Sequence, residues 1–115
     1  MPSKSPAQRL RDIVDNIDAI EAFTAELDRA AFTQDRKTIY AVVRALEIIS
    51  EASRRLPTEI TGRHPEIDWV AIAAAGNVYR HEYEAVDESL LWHTVQNDLA
   101  ALRRIAAEEL ADLAP

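Results

Sequence analysis

With 115 residues, 48% of them hydrophobic and 29% charged, the chain has the size and composition of one globular domain and not of a disordered segment. Its 2 glycines leave little turn chemistry for a β-sandwich or barrel, and the absence of cysteine excludes disulfides, thiolate metal sites and a cysteine nucleophile. A net charge of −7 makes the chain a poor generic nucleic-acid binder, so any RNA contact has to be local, transient or assisted by an oligomer; a partner with a basic face suits such a chain at least as well.

No window approaches the roughly 20 consecutive apolar residues of a membrane span. The stretch Met1 to Arg11 holds no apolar run of signal-peptide type. The expectation is a cytoplasmic protein with no membrane partner, folded as a single domain over residues 1–115.

In chain order, the first helix is expected from about Pro6 to Leu27, with Ser5 as N-cap and Pro6 at the first helical position. Leu10, Ile13, Val14, Ile17, Ile20 and Phe23 recur at spacings of three and four and form its apolar stripe. Asp28 to Gln34 reads as a connection. A second helix follows from about Asp35 to Leu56. Ile39, Val42, Val43, Leu46, Ile49 and Leu56 are its apolar positions, widened by Tyr40 and Ile48. So broad a stripe implies contact with more than one neighbour.

Pro57 ends that helix, and Pro57 to Ile67 reads as a loop with room for one short helical turn. Asp68 is placed to cap a third helix carrying Trp69, Ile72 and the small run Ala73 to Gly76. Small residues there allow two backbones to approach closely; a kink at Gly76 is the alternative. Residues 82 to 87 break the pattern. Asp87 then suits an N-cap with Glu88 in the first turn. A last helix carries Leu90, Leu91, Val95, Leu99, Leu102, Ile105 and Leu110, ending near Leu110. The predicted architecture is all-α: an antiparallel up-and-down bundle of four to five helices.

The stretch with most chemistry is Gly76-Asn77-Val78-Tyr79-Arg80-His81-Glu82-Tyr83. If the third helix continues through His81, then Asn77, Arg80 and His81 stand at i, i+3 and i+4 on one face. Arg80 suits a phosphate through its planar fork. His81 titrates near neutral pH and suits proton transfer from a ribose 2′-hydroxyl or to a leaving oxygen. Asn77 suits orientation of the imidazole or of a phosphate oxygen, and Tyr83 suits base stacking. This chemistry calls for no metal and no cofactor. The same residues at a helix C-terminus also suit a purely structural role, complementing the helix dipole and pairing with nearby carboxylates.

Other polar residues carry less. His64, beside Arg63, is expected to be exposed, and His93 to be a partly buried, satisfied histidine. Glu47 and Glu51 read as a solvated face, with Glu51 able to pair with Arg54 or Arg55. Trp69 and Trp92 read as core anchors.

Several stretches in fixed order also resemble a known family. They are Arg44-Ala-Leu-Glu-Ile-Ile-Ser-Glu-Ala52, Ile67-Asp-Trp-Val-Ala-Ile-Ala73, Gly76 to Tyr83, Val86-Asp-Glu-Ser-Leu-Leu-Trp92 and Val95-Gln-Asn-Asp-Leu99. Together they resemble the HepT-like branch of the HEPN superfamily over nearly the whole chain. The resemblance implies a helical-bundle homodimer that serves as the toxin of a bacterial toxin–antitoxin pair. It implies a metal-independent ribonuclease acting on RNA, with no role on DNA. It also implies a minimal nucleotidyltransferase antitoxin that silences the toxin by adding AMP to a motif tyrosine. The family signature is an arginine, four to six residues, a histidine, one residue and a tyrosine. By position, His81 and Tyr83 match the histidine and tyrosine, and Asn77 matches the polar residue after the arginine. Gly76 stands where the arginine usually does, and Arg80 directly precedes His81. The alternative to a nuclease is a non-catalytic dimeric partner of the nucleotidyltransferase.

Overall fold

The computed structural model describes residues 5–81 and 87–113, with the side chains of residues 80 and 81 outside the description. Among the described residues there are seven helices: α1 (Pro6–Thr24), α2 (Arg29–Thr33), α3 (Arg36–Arg54), α4 (Thr58–Thr61), α5 (Trp69–His81), α6 (Glu88–Asn97) and α7 (Leu99–Leu113). No helix among them is long and apolar enough to cross a membrane.

Capping residues set most helix starts. Ser5 accepts from Gln8 N at 3.2 Å with Pro6 behind it, Asp35 accepts from Thr38 N at 3.1 Å, and Asp68 accepts from Ala71 N at 3.0 Å. Asp87 accepts from Ser89 N at 2.8 Å and Leu90 N at 3.3 Å. Each satisfies backbone donors that the first helical turn leaves open.

The core is the apolar stripe of α1 laid against α3 and α7. Leu10, Ile13, Ile17 and Ile20 of α1 meet Val42, Leu46 and Ile49 of α3 and Leu99, Leu102 and Ala106 of α7, all buried. The broad stripe of α3 has the expected consequence: this helix packs against α1 and also against α5. Arg9 and Asp12, early in α1, share a hollow with Glu47 and Glu51, late in α3, so these helices run antiparallel. Late α3 likewise bonds early α5 through Ser50, and late α5 faces early α6. The order is therefore up-and-down, as the short connections require.

Several expectations are corrected. α1 stops at Thr24, whose Oγ1 donates back to Ile20 O at 2.9 Å, so Thr24 and not Phe23 continues the buried stripe. Phe23, about 100° round the helix, is 45% exposed. The connection after Asp28 contains α2, nucleated by that aspartate and pinned by Phe32, which is fully buried with its ring 5.1 Å from Trp92. Tyr40 does not widen the core face. It is exposed and accepts from Arg36 at 2.7 Å. The last expected helix is two, parted at Asp98. Just before the break, Asn97 donates its side chain to His93 O at 2.9 Å. Leu91 and Val95 form the buried face of α6, so Leu90 points outward. α7 runs past Leu110 to Leu113.

The largest surprise is His64. It is not exposed: its Nε2 lies 2.6 Å from Glu109 Oε2, and Arg63 donates Nε and Nη2 to the same carboxylate at 3.0 and 2.6 Å. Glu109 is buried in α7, so this clamp fastens the segment entering α5 to the body of the bundle. The bonds from Arg63, against the opposing cost of burial, hold the Glu109 carboxyl down from 4.5 to about 2.

A carboxyl held low in the folded state stabilises fully above its unfolded value. That contribution fades as pH falls from about 4.5 towards 2. Glu109→Gln is therefore expected to cost about 2 kcal/mol at neutral pH and to flatten the loss of stability below pH 5, read by denaturant melts across a pH series.

Candidate active site at the end of α5

The helix that carries the motif is positioned from its N-terminal end. Asp68 caps it, and Trp69, the first helical residue, donates Nε1 to His64 O at 3.0 Å. Ser50 of α3 then donates to Ile72 O at 2.8 Å and to Ala73 O at 3.1 Å. Gly76 is buried on the same helix, and α5 passes through it unbroken to His81. The small run therefore does not interrupt the helix, and the Ser50 hydroxyl reaches its backbone.

An unbroken α5 meets the condition set by the sequence. Asn77, Arg80 and His81 lie on one helix at i, i+3 and i+4, spanning about 100° of its circumference. Asn77 is exposed and engaged in an interaction of its own. The side chains of Arg80 and His81, and the whole of Tyr83, lie outside the described residues.

Tyr79 is a neighbour of the motif that sequence reasoning passed over. It points inward and is half-buried. Burial, followed by the charge of Asp98, pushes its hydroxyl pKa up, so it stays neutral at physiological pH. It lies seven residues after Ile72, and that period places both on the buried face of α5. Two spaces adjoin it. One is a largely apolar cavity of about 220 Å³ between α3, α5 and the α6–α7 corner, lined by Ser50, Ile72, Tyr79, Asp98 and Leu102 among others. The other is an open groove of about 340 Å³ between Ala75, Val78 and Tyr79 of α5 and Asp87, Leu90, Leu91 and Thr94 of α6. Ala75, Val78 and Tyr79 thus turn one face of the last turns of α5 to an open groove, while Asn77, Arg80 and His81 fall about 180° round the helix from it.

The remaining candidates stand apart. Glu51 pairs with Arg54 and, at 2.9 Å, with Arg55, which hold its carboxyl low; Glu47 pairs with Arg44 at 3.4 Å. These are surface ion pairs, as expected. His93 is exposed and not partly buried, on the outer side of α6 with Asn97. Trp69 and Trp92 are half-buried against the core. Among the described residues no cluster of histidines and acids has the arrangement of a metal site.

Fold and motif order together define an all-α bundle of the HEPN type. The chain belongs to the HepT-like ribonuclease family, whose description, "Ribonuclease HepT-like", matches residues 13–109. It is 42% identical over 100 residues to the "Probable ribonuclease HepT" of Thermococcus cleftensis, covering 87% of this chain and 91% of that one. Two proteins named as candidate RNases in Methanocaldococcus jannaschii are 33% and 31% identical. They cover 83% and 91% of this chain and 87% and 90% of their own lengths. No solved structure gives a significant match.

The Ser50 bonds tie α3 to the motif helix, so Ser50→Ala is expected to cost about 1 kcal/mol in thermal or denaturant melts. The same variant is expected to speed hydrogen exchange in α5 more than in α1.

Proposed function

We propose that this chain is a metal-independent endoribonuclease and the toxin of a toxin–antitoxin pair. Arg80 binds a phosphate of the RNA. His81 takes the proton from a ribose 2′-hydroxyl as its oxygen attacks the adjacent phosphorus. The 5′-oxygen then leaves with a proton returned by the imidazolium, and a 2′,3′-cyclic phosphate remains. Asn77 orients the imidazole or a phosphate oxygen. Tyr83 contacts RNA and is the point of control. A minimal nucleotidyltransferase transfers AMP from ATP to its hydroxyl, releasing pyrophosphate, and the bulky anion then blocks the RNA path.

The observation that carries this reading is the unbroken register of α5 through His81 in a chain of a ribonuclease family. One further fact supports it. The apolar residues Val78 and Leu90, 40% and 67% exposed beside the groove between α5 and α6, suit contact with a second copy. A homodimer pairing two such ends would concentrate Arg80 and His81 in one cleft, a local basic site on an acidic body.

A second reading is a dimeric, non-catalytic partner of the nucleotidyltransferase. One observation favours it: Gly76, where the family signature has arginine, is buried and offers no side chain to a phosphate.

His81→Ala is expected to abolish RNA cleavage and growth inhibition while the helical fold persists by circular dichroism. Undiminished cleavage would reject the catalytic assignment. A chelator such as EDTA is expected to leave cleavage unchanged, and a chelator-sensitive rate restored by one divalent ion would exclude the metal-independent step. Co-expression with a minimal nucleotidyltransferase, where one is encoded beside this chain, is expected to add the mass of AMP to the wild type and none to Tyr83→Phe.

A further inference from the structure

α6 carries a second polar surface on the side away from the cavity under α5. Ser89, His93 and Asn97 stand at i, i+4 and i+8, in one row along the helix. At the first of them, Arg29 of α2 donates Nη2 to Ser89 Oγ at 3.0 Å. These four residues, with Asp87, Leu90 and Trp92, line most of an open hollow of about 450 Å³. Trp92 gives it a firm floor, because its ring rests on the fully buried Phe32.

The donors and acceptors in this hollow are specific in kind. Arg29 is exposed and pairs with no carboxylate among the described residues. Its bond to Ser89 uses one of five N–H donors, which leaves most of the fork for a phosphate. Asp28 and Asp87, the acids at the two helix starts, are occupied in capping. Asp28 accepts from Ala31 N at 2.8 Å, and Asp87 caps α6. Asn97 Nδ2 lies 3.1 Å from His93 Nδ1 and also donates to His93 O. An amide NH₂ only donates, so this contact makes Nδ1 the acceptor and puts the neutral imidazole's proton on the outer Nε2. Nε2–H and Asn97 Oδ1 then form a donor–acceptor pair beside a cation. Phosphate with an adjacent unstacked base edge is the chemistry that matches them.

The hollow adjoins the groove beside α5, because Asp87 and Leu90 line both. Ala75, Val78 and Tyr79 face that groove, so by register Asn77, Arg80 and His81 stand on the other side of α5. His81 and Asp87 are separated by at most about 20 Å of chain. A strand reaching from the motif to Arg29 has to round the end of α5.

Resting on the ribonuclease reading, we propose that the α2–α6 hollow is a second RNA contact, in which Arg29 holds a phosphate and His93 with Asn97 reads a base of single-stranded RNA. It positions the strand and takes no part in bond cleavage.

The test uses the full chain carrying His81→Ala, with a fluorescently labelled unstructured RNA, by anisotropy over a salt series. Adding Arg29→Ala is expected to weaken binding about tenfold and to make the salt slope shallower by about 0.7, the share of one phosphate on a single strand. Arg29→Lys is expected to keep the slope, which separates lost charge from lost packing. Asn97→Ala is expected to weaken binding with the slope unchanged. With His81 restored, Arg29→Ala should raise KM and leave kcat in place. If the parent binds RNA and neither Arg29→Ala nor Asn97→Ala alters affinity or slope, the hollow is rejected and the nuclease reading stands. If Arg29→Ala spares RNA but weakens binding of the nucleotidyltransferase, the surface belongs to a protein and the proposal fails. A parent that binds no RNA rejects both. A parent that still cleaves at the wild-type rate rejects the His81 chemistry alone, and the binding measurements still decide the hollow.

Discussion

The seating of α5 on α3 is the constraint on which the functional end of the molecule depends. Ser50 donates into the backbone of α5, and a buried glycine follows one turn later. α3 also carries the core contact with α1, so the motif helix is fixed to the most buried element of the bundle. Its start is held again by the clamp of Arg63 and His64 on Glu109, through the bond from Trp69 to His64 O. Rigidity is thus concentrated at the N-terminal end of α5. The C-terminal end borders open space on its α6 side. By register Asn77, Arg80 and His81 lie on the side of α5 opposite that groove, on the outer face of a firmly seated helix.

Charge distribution answers the objection raised by composition. The chain carries −7 overall, yet many of its acids are committed locally. Asp28, Asp35, Asp68 and Asp87 cap helices; Asp18, Glu51 and Glu109 are bound by arginines. Net charge governs solubility and long-range steering, whereas a phosphate responds to the few groups within a Debye length of it. Arg29, exposed at the α2–α6 hollow, is therefore not silenced by the global excess of acid.

Most of the fold was legible from local signals. Each capping aspartate named from the sequence starts a helix, and the double-width stripe of α3 does meet two partners. Positions such as Phe23, Tyr40 and Leu90 were misjudged for one reason. A step of 100° separates the buried edge of a stripe from its exposed flank, and composition alone does not say where the neighbour ends. His64 and Glu109 were unreadable for a different reason: they are 45 residues apart, and only tertiary packing joins them. The break at Asp98 leaves no trace in the apolar periodicity, which runs on from Val95 to Leu99 and Leu102. At the site, the register of Asn77, Arg80 and His81 followed from spacing alone, because one helix carries all three. Tyr79 was as visible by period but was overshadowed by the motif around it. The α2–α6 hollow needed two helices 60 residues apart to be seen as one surface.

The central claim is that the C-terminal end of α5 is where RNA lies. It is tested most directly by an amide NMR titration of the ¹⁵N-labelled protein with a short 2′-O-methyl RNA, which lacks the hydroxyl needed for cleavage. The account predicts that the largest shift changes fall on Asn77, Arg80 and His81, saturating together with one affinity. Changes confined to the outer faces of α1 and α7, with the amides of residues 77–81 unmoved at saturation, would contradict it.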